Sequence, residues 1–226
     1  MPKVSIIIPV HNFDGAVALL ERNLNSIADQ TFRDYEIVIS DDSDDDTIEK
    51  LVTPFELRYV RNPGAKGMAN NTNYAIDNAH GELVKILFID DYFADTQALE
   101  HMVKHFTPST YWMAVGCAHT FDGVTTFNEH RPYYSTTQNT IGSPSVTMWL
   151  RELPERFDPS FHWVLDLDLY RRFFKKYGLP KVLHRVNVII GLHEKQMTNQ
   201  LTDERKALEF MLLQRKHGQG YQLKYE

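Results

Sequence analysis

The sequence of 226 residues has a single cysteine, no net positive charge and no long apolar run. Its single cysteine, Cys117, excludes a disulfide within the chain and is consistent with a reducing compartment. The net charge of −6 argues against a nucleic-acid-binding protein and against a polybasic membrane-surface protein. The first apolar run, 4–10, is interrupted by Pro9, is too short to cross a bilayer and follows no secretory leader. We therefore expect a soluble, cytoplasmic protein with no transmembrane segment and no nucleic-acid partner.

The composition that is present is that of a globular protein, with 42% hydrophobic and 24% charged residues. Compact apolar runs predict strands at 4–10, 35–40, 57–60 and 83–89. Between these runs apolar residues recur at helical spacing, so strands and helices alternate over the first hundred residues. This alternation predicts an α/β fold with a mostly parallel sheet flanked by helices.

The second part of the chain is less regular. Residues 114–147 are rich in aromatic, threonine and turn residues, which predicts a smaller antiparallel portion, and helices are expected over 166–176 and 202–216. A soft boundary near residue 110 divides the chain, but we expect residues 1–226 to form a single domain.

Two adjacent aspartates, Asp90 and Asp91, directly follow the apolar residues 86–89. Carboxylates about 4 Å apart repel each other by roughly 1 kcal/mol in water and roughly 4 kcal/mol at an effective dielectric of 20. A divalent cation reverses this interaction, and Mg²⁺ or Mn²⁺ is typically held by one or two carboxylates plus substrate phosphates. The pair therefore predicts a metal site, with helix-capping aspartates in a solvated loop as the alternative.

A second carboxylate pair, Asp41 and Asp42, ends the predicted strand 35–40. Parallel sheets bind ligands at the carboxyl ends of their strands, where a carboxylate can accept a hydrogen bond from a base N–H. The acidic residues 44–46 that follow are more simply a solvated helix N-terminus, which the helix dipole favours. We predict a binding role for Asp41 and Asp42 and a structural one for 44–46.

The order and spacing of these segments resemble the inverting GT-A glycosyltransferases of family 2. The resemblance rests on the turn Pro9-Val10-His11-Asn12, on Asp41-Asp42, on Gly67 through Asn73, and on Asp90-Asp91 as a contracted DxD-type metal motif. It covers residues 3–95 strongly and 140–220 loosely. The resemblance implies a Rossmann-like GT-A fold with a nucleotide-sugar donor half, 1–110, and an acceptor half with a C-terminal helix, 111–226.

The resemblance also implies the activity and its partners. It implies transfer of a sugar from a nucleotide-diphosphate sugar, expected to be a UDP-sugar, to an acceptor hydroxyl with inversion. The acceptor is a saccharide, a lipid-linked compound or another hydroxyl compound, as in polysaccharide biosynthesis. A homodimer is an open alternative to a monomer.

Site residues are implied by the same resemblance. The donor-binding residues are Pro9, His11, Asn12, Asp41, Asp42, Lys66, Asn73 and Asp90. The Mg²⁺ or Mn²⁺ ligands are Asp91, Asp90 and His193, although a lone loop histidine can also be plain surface. Residues 163–170 are similar to the family's Glu-Asp-x-Asp pattern, with Leu165 where Glu is usual. Asp166 is the first choice for the general base and Asp168 the second, with helix capping as the alternative for both.

Two other functions are weighed against glycosyl transfer. A sugar nucleotidyltransferase shares the α/β layout but would normally show a Gly-rich, basic phosphate loop where this chain has 11–14. A non-catalytic nucleotide-sugar binding module would retain the donor half and lose the base, and the presence of Asp166 and Asp168 weighs against it.

Overall fold

The structure, a computed structural model, describes residues 1–135 and 138–218. Within these residues the strands are β1 (Val4–Val10), β2 (Tyr35–Asp41), β3 (Arg58–Arg61), β4 (Leu83–Ile86), β5 (Tyr92–Phe93), β6 (Trp112–Thr120), β7 (Phe127–His130), β8 (Thr147–Leu150) and β9 (Lys181–Gly191). The helices are α1 (Ala16–Ala28), α2 (Thr47–Val52), α3 (Met68–Asp77), α4 (Ala98–His105), α5 (Leu165–Tyr177), α6 (Met197–Gln200) and α7 (Asp203–His217). None of these described helices combines the length and apolarity that spanning a membrane requires.

The described strands form one mixed sheet in the order β3-β2-β1-β4-β8-β6-β9-β5, with β7 paired to β6. Strands β1 to β4 run parallel, and Val4 of β1 lies beside Tyr35 on one side and Leu83 on the other. Strand β8 is antiparallel to both β4 and β6, whereas β6 and β9 are parallel. The prediction of a mostly parallel sheet flanked by helices, with a smaller antiparallel portion, is confirmed.

The core explains why the first strand is apolar at nearly every position. All seven residues of β1 are buried, because β1 lies inside the sheet and helices cover both of its faces. Ile6 and Ile8 project to one face and Ile7 to the other, and all three are fully buried. The two aspartate pairs lie instead at or beyond the carboxyl ends of β2 and β4, which places these candidate site residues along one edge of the sheet.

The apolar run 83–89 forms a strand only as far as Ile86. Beyond that point side chains bond the backbone of Phe88: its N–H donates to Ser145 Oγ at 2.9 Å, and its carbonyl accepts from Asn23 Nδ2 at 2.9 Å. The chain can therefore leave the sheet and carry Asp90 and Asp91 over its edge. Strand β9 was not predicted, because polar residues interrupt its first half.

Candidate active site

A cleft of about 1350 Å³ lies at the carboxyl ends of β1, β2 and β4, and the loops before α3, before α5 and after β9 complete its wall. Twelve residues were predicted from the sequence to form the site. Eight of them line the cleft, namely Pro9, His11, Asp42, Lys66, Asp90, Asp91, Asp166 and His193. The other four, Asn12, Asp41, Asn73 and Asp168, are not among its lining residues.

Asp42 organises the first corner of the cleft. Its carboxylate is 6% exposed, and it accepts hydrogen bonds from Asn62 Nδ2 at 2.8 Å and from the Gly67 backbone N–H at 2.6 Å. His11 Nδ1 lies 3.4 Å from the Asp42 carbonyl oxygen, so the turn after β1 meets the turn after β2 here. Gly67 has φ of +114°, which favours glycine at this position. The carboxylate is thus held rigidly and still faces the cleft.

Lys66 lies at the rim of this corner. Its ammonium group pairs with Asp44 Oδ1, and this contact lowers the pKa of the Asp44 carboxyl. Pro9 is the penultimate residue of β1 and contributes apolar wall. The rim therefore carries one cation that can reach toward an anionic ligand in the cleft.

Asp41 and Asn12 do not have the positions expected of donor-binding residues. Asp41 is fully buried, and its carboxylate accepts hydrogen bonds from the Ser43 N–H at 2.8 Å and the Tyr59 hydroxyl at 2.8 Å. Asn12 donates its backbone N–H to Ser43 Oγ at 2.7 Å and its side-chain amide to Asp45 Oδ2 at 2.8 Å. Both residues stabilise the loop after β2, and we no longer assign them to the donor.

Asn73 is likewise turned away from the cleft. Its side-chain amide both donates to the Phe157 carbonyl and accepts from the Phe157 N–H, each at 2.8 Å. Asn71 lines the cleft instead, donating to the Val10 carbonyl at 2.9 Å and accepting from Ser40 Oγ at 2.6 Å. Residues two apart in a helix lie about 200° apart around its axis, so only one of the two asparagines can face the cleft. The structure selects Asn71.

The two aspartates after β4 have different environments. Asp90 Oδ2 lies 3.3 Å from His193 Nε2 and 3.4 Å from Gln196 Nε2. Asp91 is only 2% exposed, and it accepts hydrogen bonds from the Gly191 N–H at 3.1 Å and Ser143 Oγ at 3.4 Å. Burial, together with the neighbouring charge of Asp90, raises the pKa of Asp91 well above its ordinary value. Asp90 is therefore the more exposed of the two carboxylates on the cleft wall.

The side chains at this end of the cleft offer few ligands to the implied cation. Across residues 1–135 and 138–218, no group of three or more His, Cys, Asp or Glu side chains is arranged to hold an ion without help. Asp90 and His193 nevertheless offer one carboxylate and one imidazole, and the ring of Phe13 stacks on His193 at 5.8 Å. Such a pair fits Mn²⁺ or Mg²⁺ when substrate phosphates supply further ligands.

Two residues of α1 hold the backbone of the Asp90-Asp91 turn. Arg22 Nη2 donates to the Asp90 carbonyl at 2.6 Å, and its guanidinium lies 4.6 Å from the centre of the Tyr92 ring. Asn23 Nδ2 donates to the Asp91 carbonyl at 2.8 Å. Sequence reasoning missed both, and the signal available was Asn23, a polar residue at helical spacing with the buried Ala16, Leu20 and Ile27.

Asp166 lies in the first turn of α5 and faces the cleft. Its carboxylate accepts hydrogen bonds from Asn139 Nδ2 at 2.5 Å and from the Leu167 N–H at 2.6 Å. Desolvation by the surrounding protein raises the pKa of Asp166 from 3.8 to about 7, although these hydrogen bonds oppose the change. A carboxylate with a pKa near the operating pH suits general base catalysis.

Asp168 is held by three basic side chains and does not face the cleft. It is fully buried outside the cleft, where it pairs with Arg172 Nη2, Lys216 Nζ and His217 Nε2, each at 2.7 Å. Burial alone would raise the pKa of Asp168, but the bond from Lys216 and the charge of Arg172 lower it overall. Because the helix begins at Leu165, residues 166 and 168 point in different directions. Asp168 joins α7 to α5, and we withdraw it as a candidate base.

A family model described as "Glycosyl transferase family 2" matches residues 5–174, which is most of the chain. The chain belongs to glycosyl transferase family 2. Over 97 residues it is 37% identical to the GalNAc(5)-diNAcBac-PP-undecaprenol beta-1,3-glucosyltransferase of Campylobacter jejuni, a match that covers 40% of this chain and 30% of that protein. It is 22% identical to the putative glycosyltransferase EpsE of Bacillus subtilis, over 82% of this chain and 73% of that protein.

Solved structures show the same fold for this family 2 chain. S. aureus TarS 1-349 in complex with UDP-GlcNAc is similar with a TM-score of 0.72 at 20% identity, over 95% of this chain and 66% of that one. The mannosyltransferase PcManGT from Pyrobaculum calidifontis, in complex with GDP-Man and Mn²⁺, is similar with a TM-score of 0.70 at 19% identity, over 95% and 64%. The expected GT-A fold is confirmed. The chain spans about two thirds of these structures and under a third of the Campylobacter protein.

The raised pKa of Asp166 predicts a pH-dependent stability for this family 2 domain. The folded state favours the protonated carboxyl, so its contribution to stability is complete below pH 3.8 and is lost as the pH rises through about 7. We expect Asp166→Asn, which stays neutral, to melt at a higher temperature than wild type at pH 8, with the difference gone at about pH 4. Thermal unfolding at the two pH values measures this.

Asp168→Asn provides the matched control for that measurement. The pKa of Asp168 is lowered, so its stabilising contribution exists above the unfolded pKa and is lost as the pH falls. Asp168→Asn should therefore melt below wild type at pH 8. If both variants shift the melting temperature in the same direction at pH 8, the environment assigned to Asp166 is wrong.

Proposed function

We propose that this chain transfers a sugar from a nucleoside-diphosphate sugar of the UDP type to an acceptor hydroxyl, with inversion at the anomeric carbon. One observation carries the proposal: a single cleft is lined by Asp166, by Asp42, and by the Asp90–His193 pair. Each matches one requirement of the reaction, namely a base for the acceptor proton, an acceptor for the nucleobase N–H, and ligands for a cation at the diphosphate.

The nucleoside is assigned to the corner formed by Asp42 and His11. Each Asp42 oxygen accepts one protein hydrogen bond and keeps a second lone pair, which can accept from the N3–H of uracil. The imidazole of His11 is exposed on the cleft wall, where it can pack on the ring. The complex of TarS with UDP-GlcNAc supports a UDP donor, and the complex of PcManGT with GDP-Man names the alternative.

The diphosphate is assigned to the Asp90–His193 end of the cleft. A protein of net charge −6 that presents carboxylates here would otherwise repel a diphosphate. Mg²⁺ or Mn²⁺, held by Asp90 and His193, would neutralise charge on the phosphates and on the leaving group. The Mn²⁺ in the PcManGT complex supports this assignment. In this proposal Asp91 accepts hydrogen bonds from the Gly191 N–H and Ser143 Oγ and is not the principal metal ligand.

The chemical step is assigned to Asp166. Its carboxylate takes the proton of the acceptor hydroxyl as that oxygen forms a bond to the anomeric carbon. The bond from that carbon to the diphosphate oxygen breaks on the opposite face, so a single displacement inverts the configuration. Asn139, which sequence reasoning missed, orients the carboxylate through its 2.5 Å hydrogen bond.

The acceptor is assigned to the side of the cleft near α5 and α7, where Trp163 and Phe210 line the wall. Aromatic rings suit the apolar faces of sugars. The Campylobacter relative and the E. coli UDP-Glc:alpha-D-GlcNAc-diphosphoundecaprenol beta-1,3-glucosyltransferase WfgD carry undecaprenol-linked acceptors in their names. We propose a lipid-linked saccharide as the acceptor class for this chain.

A screen of sugar nucleotides tests the proposed function directly. UDP-glucose, UDP-GlcNAc and GDP-mannose are each incubated with the protein and Mn²⁺, and release of the nucleoside diphosphate is followed with water or a lipid-linked saccharide as acceptor. We expect Mn²⁺-dependent release from a UDP-sugar. Binding without release from any donor would instead support the non-catalytic binding module.

Asp42 gives a prediction for the nucleoside corner. Asp42→Ala should weaken UDP and UDP-sugar binding alike, because a hydrogen bond to a charged acceptor is worth about 1.5–3 kcal/mol, or roughly 10–100-fold in affinity. Calorimetry with UDP measures the loss. Asp41→Asn is the neighbouring control: it should lower thermal stability through Ser43 and Tyr59 while UDP affinity stays close to wild type. The reverse result would mean that Asp41 contacts the base.

A further inference from the structure

Helix α5, which carries Asp166, has no side-chain cap at its N-cap position. Its N-cap residue is Val164, whose side chain cannot accept a hydrogen bond. The first N–H groups of a helix have no partner within the helix and need one from elsewhere. Because Asp166 sits in the first turn, any loosening of this helix start would displace its carboxylate.

Glu209 of α7, more than forty residues along the chain, bonds the N–H groups of the N-cap residue and of the two residues before it, not those of the helix itself. Glu209 Oε2 lies 3.0 Å from the His162 N–H, 2.7 Å from the Trp163 N–H and 3.4 Å from the Val164 N–H. The other oxygen, Oε1, accepts from Arg205 Nε at 3.1 Å. One carboxylate thus gathers three consecutive backbone N–H groups directly before the helix that carries the base.

Burying the Glu209 carboxylate costs free energy unless both of its oxygens are hydrogen-bonded. Glu209 is 0% exposed, and a buried carboxylate is tolerated only when it is paired and hydrogen-bonded. It is placed by α7, which is tied to α5 a second time by Lys216 and His217 at Asp168. Negative charge at a helix N-terminus is also favoured by the helix dipole. The start of α5 is therefore joined to α7 at two places, by Glu209 and by Asp168.

We propose that Glu209 is a positioning residue for Asp166: it holds residues 162–164, directly before α5, and so determines where the base carboxylate lies in the cleft. The inference rests on the proposed function, because it takes Asp166 as the base. Glu209 itself is absent from the cleft lining and does not touch the reacting atoms in this scheme. The adjacent residue Phe210 lines the cleft, so α7 contributes to the acceptor side as well.

The test compares Glu209→Ala with Leu213→Ala in the full chain. Leu213 is fully buried on the same helix and touches none of the three N–H groups, so its truncation destabilises α7 without removing the carboxylate that holds 162–164. The first readout is the titration of the Asp166 carboxyl by carbon NMR, assigned with Asp166→Asn. Neither hydrogen-bond partner of Asp166, Asn139 or the Leu167 N–H, titrates, so a shift reports the surroundings of the carboxyl.

In Glu209→Ala we expect the Asp166 pKa to fall toward its ordinary value, because a frayed helix start admits water. Amide exchange at 162–164 should accelerate about tenfold or more, and UDP release from UDP-glucose with Mn²⁺ should fall about 100-fold at unchanged UDP affinity, since small misplacements of a reacting group carry such costs. Glu209→Gln, whose amide oxygen can accept the same N–H groups, should recover most of the rate. Leu213→Ala should lower the melting temperature and leave the Asp166 titration in place.

An unchanged Asp166 titration in Glu209→Ala overturns the inference, as does an equal shift in Leu213→Ala. If Glu209→Ala does not fold, Glu209→Asp takes its place, because the shorter side chain keeps the charge but cannot reach all three N–H groups. The proposed function fails separately, when the wild type releases no UDP from any sugar nucleotide. The titration and exchange measurements decide the role of Glu209 in that case too.

Discussion

Replacing Asp166 by asparagine is expected to lower the rate of sugar transfer about 10²–10⁴-fold while UDP and metal binding stay intact. Asparagine keeps the shape of the side chain and can still accept from the Leu167 N–H, but it cannot take a proton. The loss should therefore appear in the rate at saturating donor. Calorimetry with UDP provides the control for folding and for donor binding.

The pH dependence of the wild type checks the same assignment. The base acts only when deprotonated, so the transfer rate should rise as the pH increases through about 7, the pKa to which burial raises Asp166. Asp168→Asn is the matched variant, two residues away in the same helix but outside the cleft. It should lose thermal stability and keep the rate. Loss of transfer in Asp168→Asn together with full activity in Asp166→Asn would reverse the two roles.

The second large effect is expected at Asp90. Asp90→Asn should abolish the metal-dependent part of UDP affinity, which we expect to be at least about 100-fold, because even the groups that support metal ligands are worth about 10–100-fold. The physical reason is that Asp90 presents its carboxylate to the cleft beside His193. Calorimetry with UDP, with Mn²⁺ and after chelation, measures the difference.

Asp91→Asn separates the two neighbours in that experiment. Asp91 is buried, and its carboxylate already accepts hydrogen bonds from the Gly191 N–H and Ser143 Oγ, so it presents less free oxygen to an ion than Asp90 does. We expect Asp91→Asn to retain most of the metal-dependent UDP affinity. Equal UDP affinity with and without Mn²⁺ in the wild type would rule out the metal assignment for both residues.

Much of the fold and the general location of the site could be read from local patterns. Apolar runs such as 4–10 and 35–40 end at polar residues, and the carboxyl ends of parallel strands share one edge of a sheet. That is why Asp42 and Asp90, far apart in the chain, could both be expected at one cleft. Strand β9 escaped prediction because its polar first half hides the pattern that marks a buried strand.

Local patterns could not show which of two neighbouring polar residues lines the cleft. Asp41 is the last residue of β2 and Asp42 is the first residue after it, and of the two only Asp42 lines the cleft. In helix α3, likewise, Asn71 lines the cleft and Asn73 does not. The answer depended on partners elsewhere in the chain, Tyr59 for Asp41 and Phe157 for Asn73, and a local pattern carries no information about such partners.

The amino-acid sequence by itself determined the alternation of strands and helices, the family, and the edge of the sheet at which the acidic residues gather, because each follows from local patterns and from their order along the chain. Only the tertiary structure decided which carboxylate does what. In the tertiary structure Asp91 is buried and Asp90 contacts His193. Asp168 forms a salt bridge with Lys216 of α7, and Glu209 accepts a hydrogen bond from the Trp163 N–H directly before α5. These outcomes depend on burial and on hydrogen bonds across 46 to 103 residues of chain, and the environment that such contacts create sets the protonation and direction of each carboxyl group.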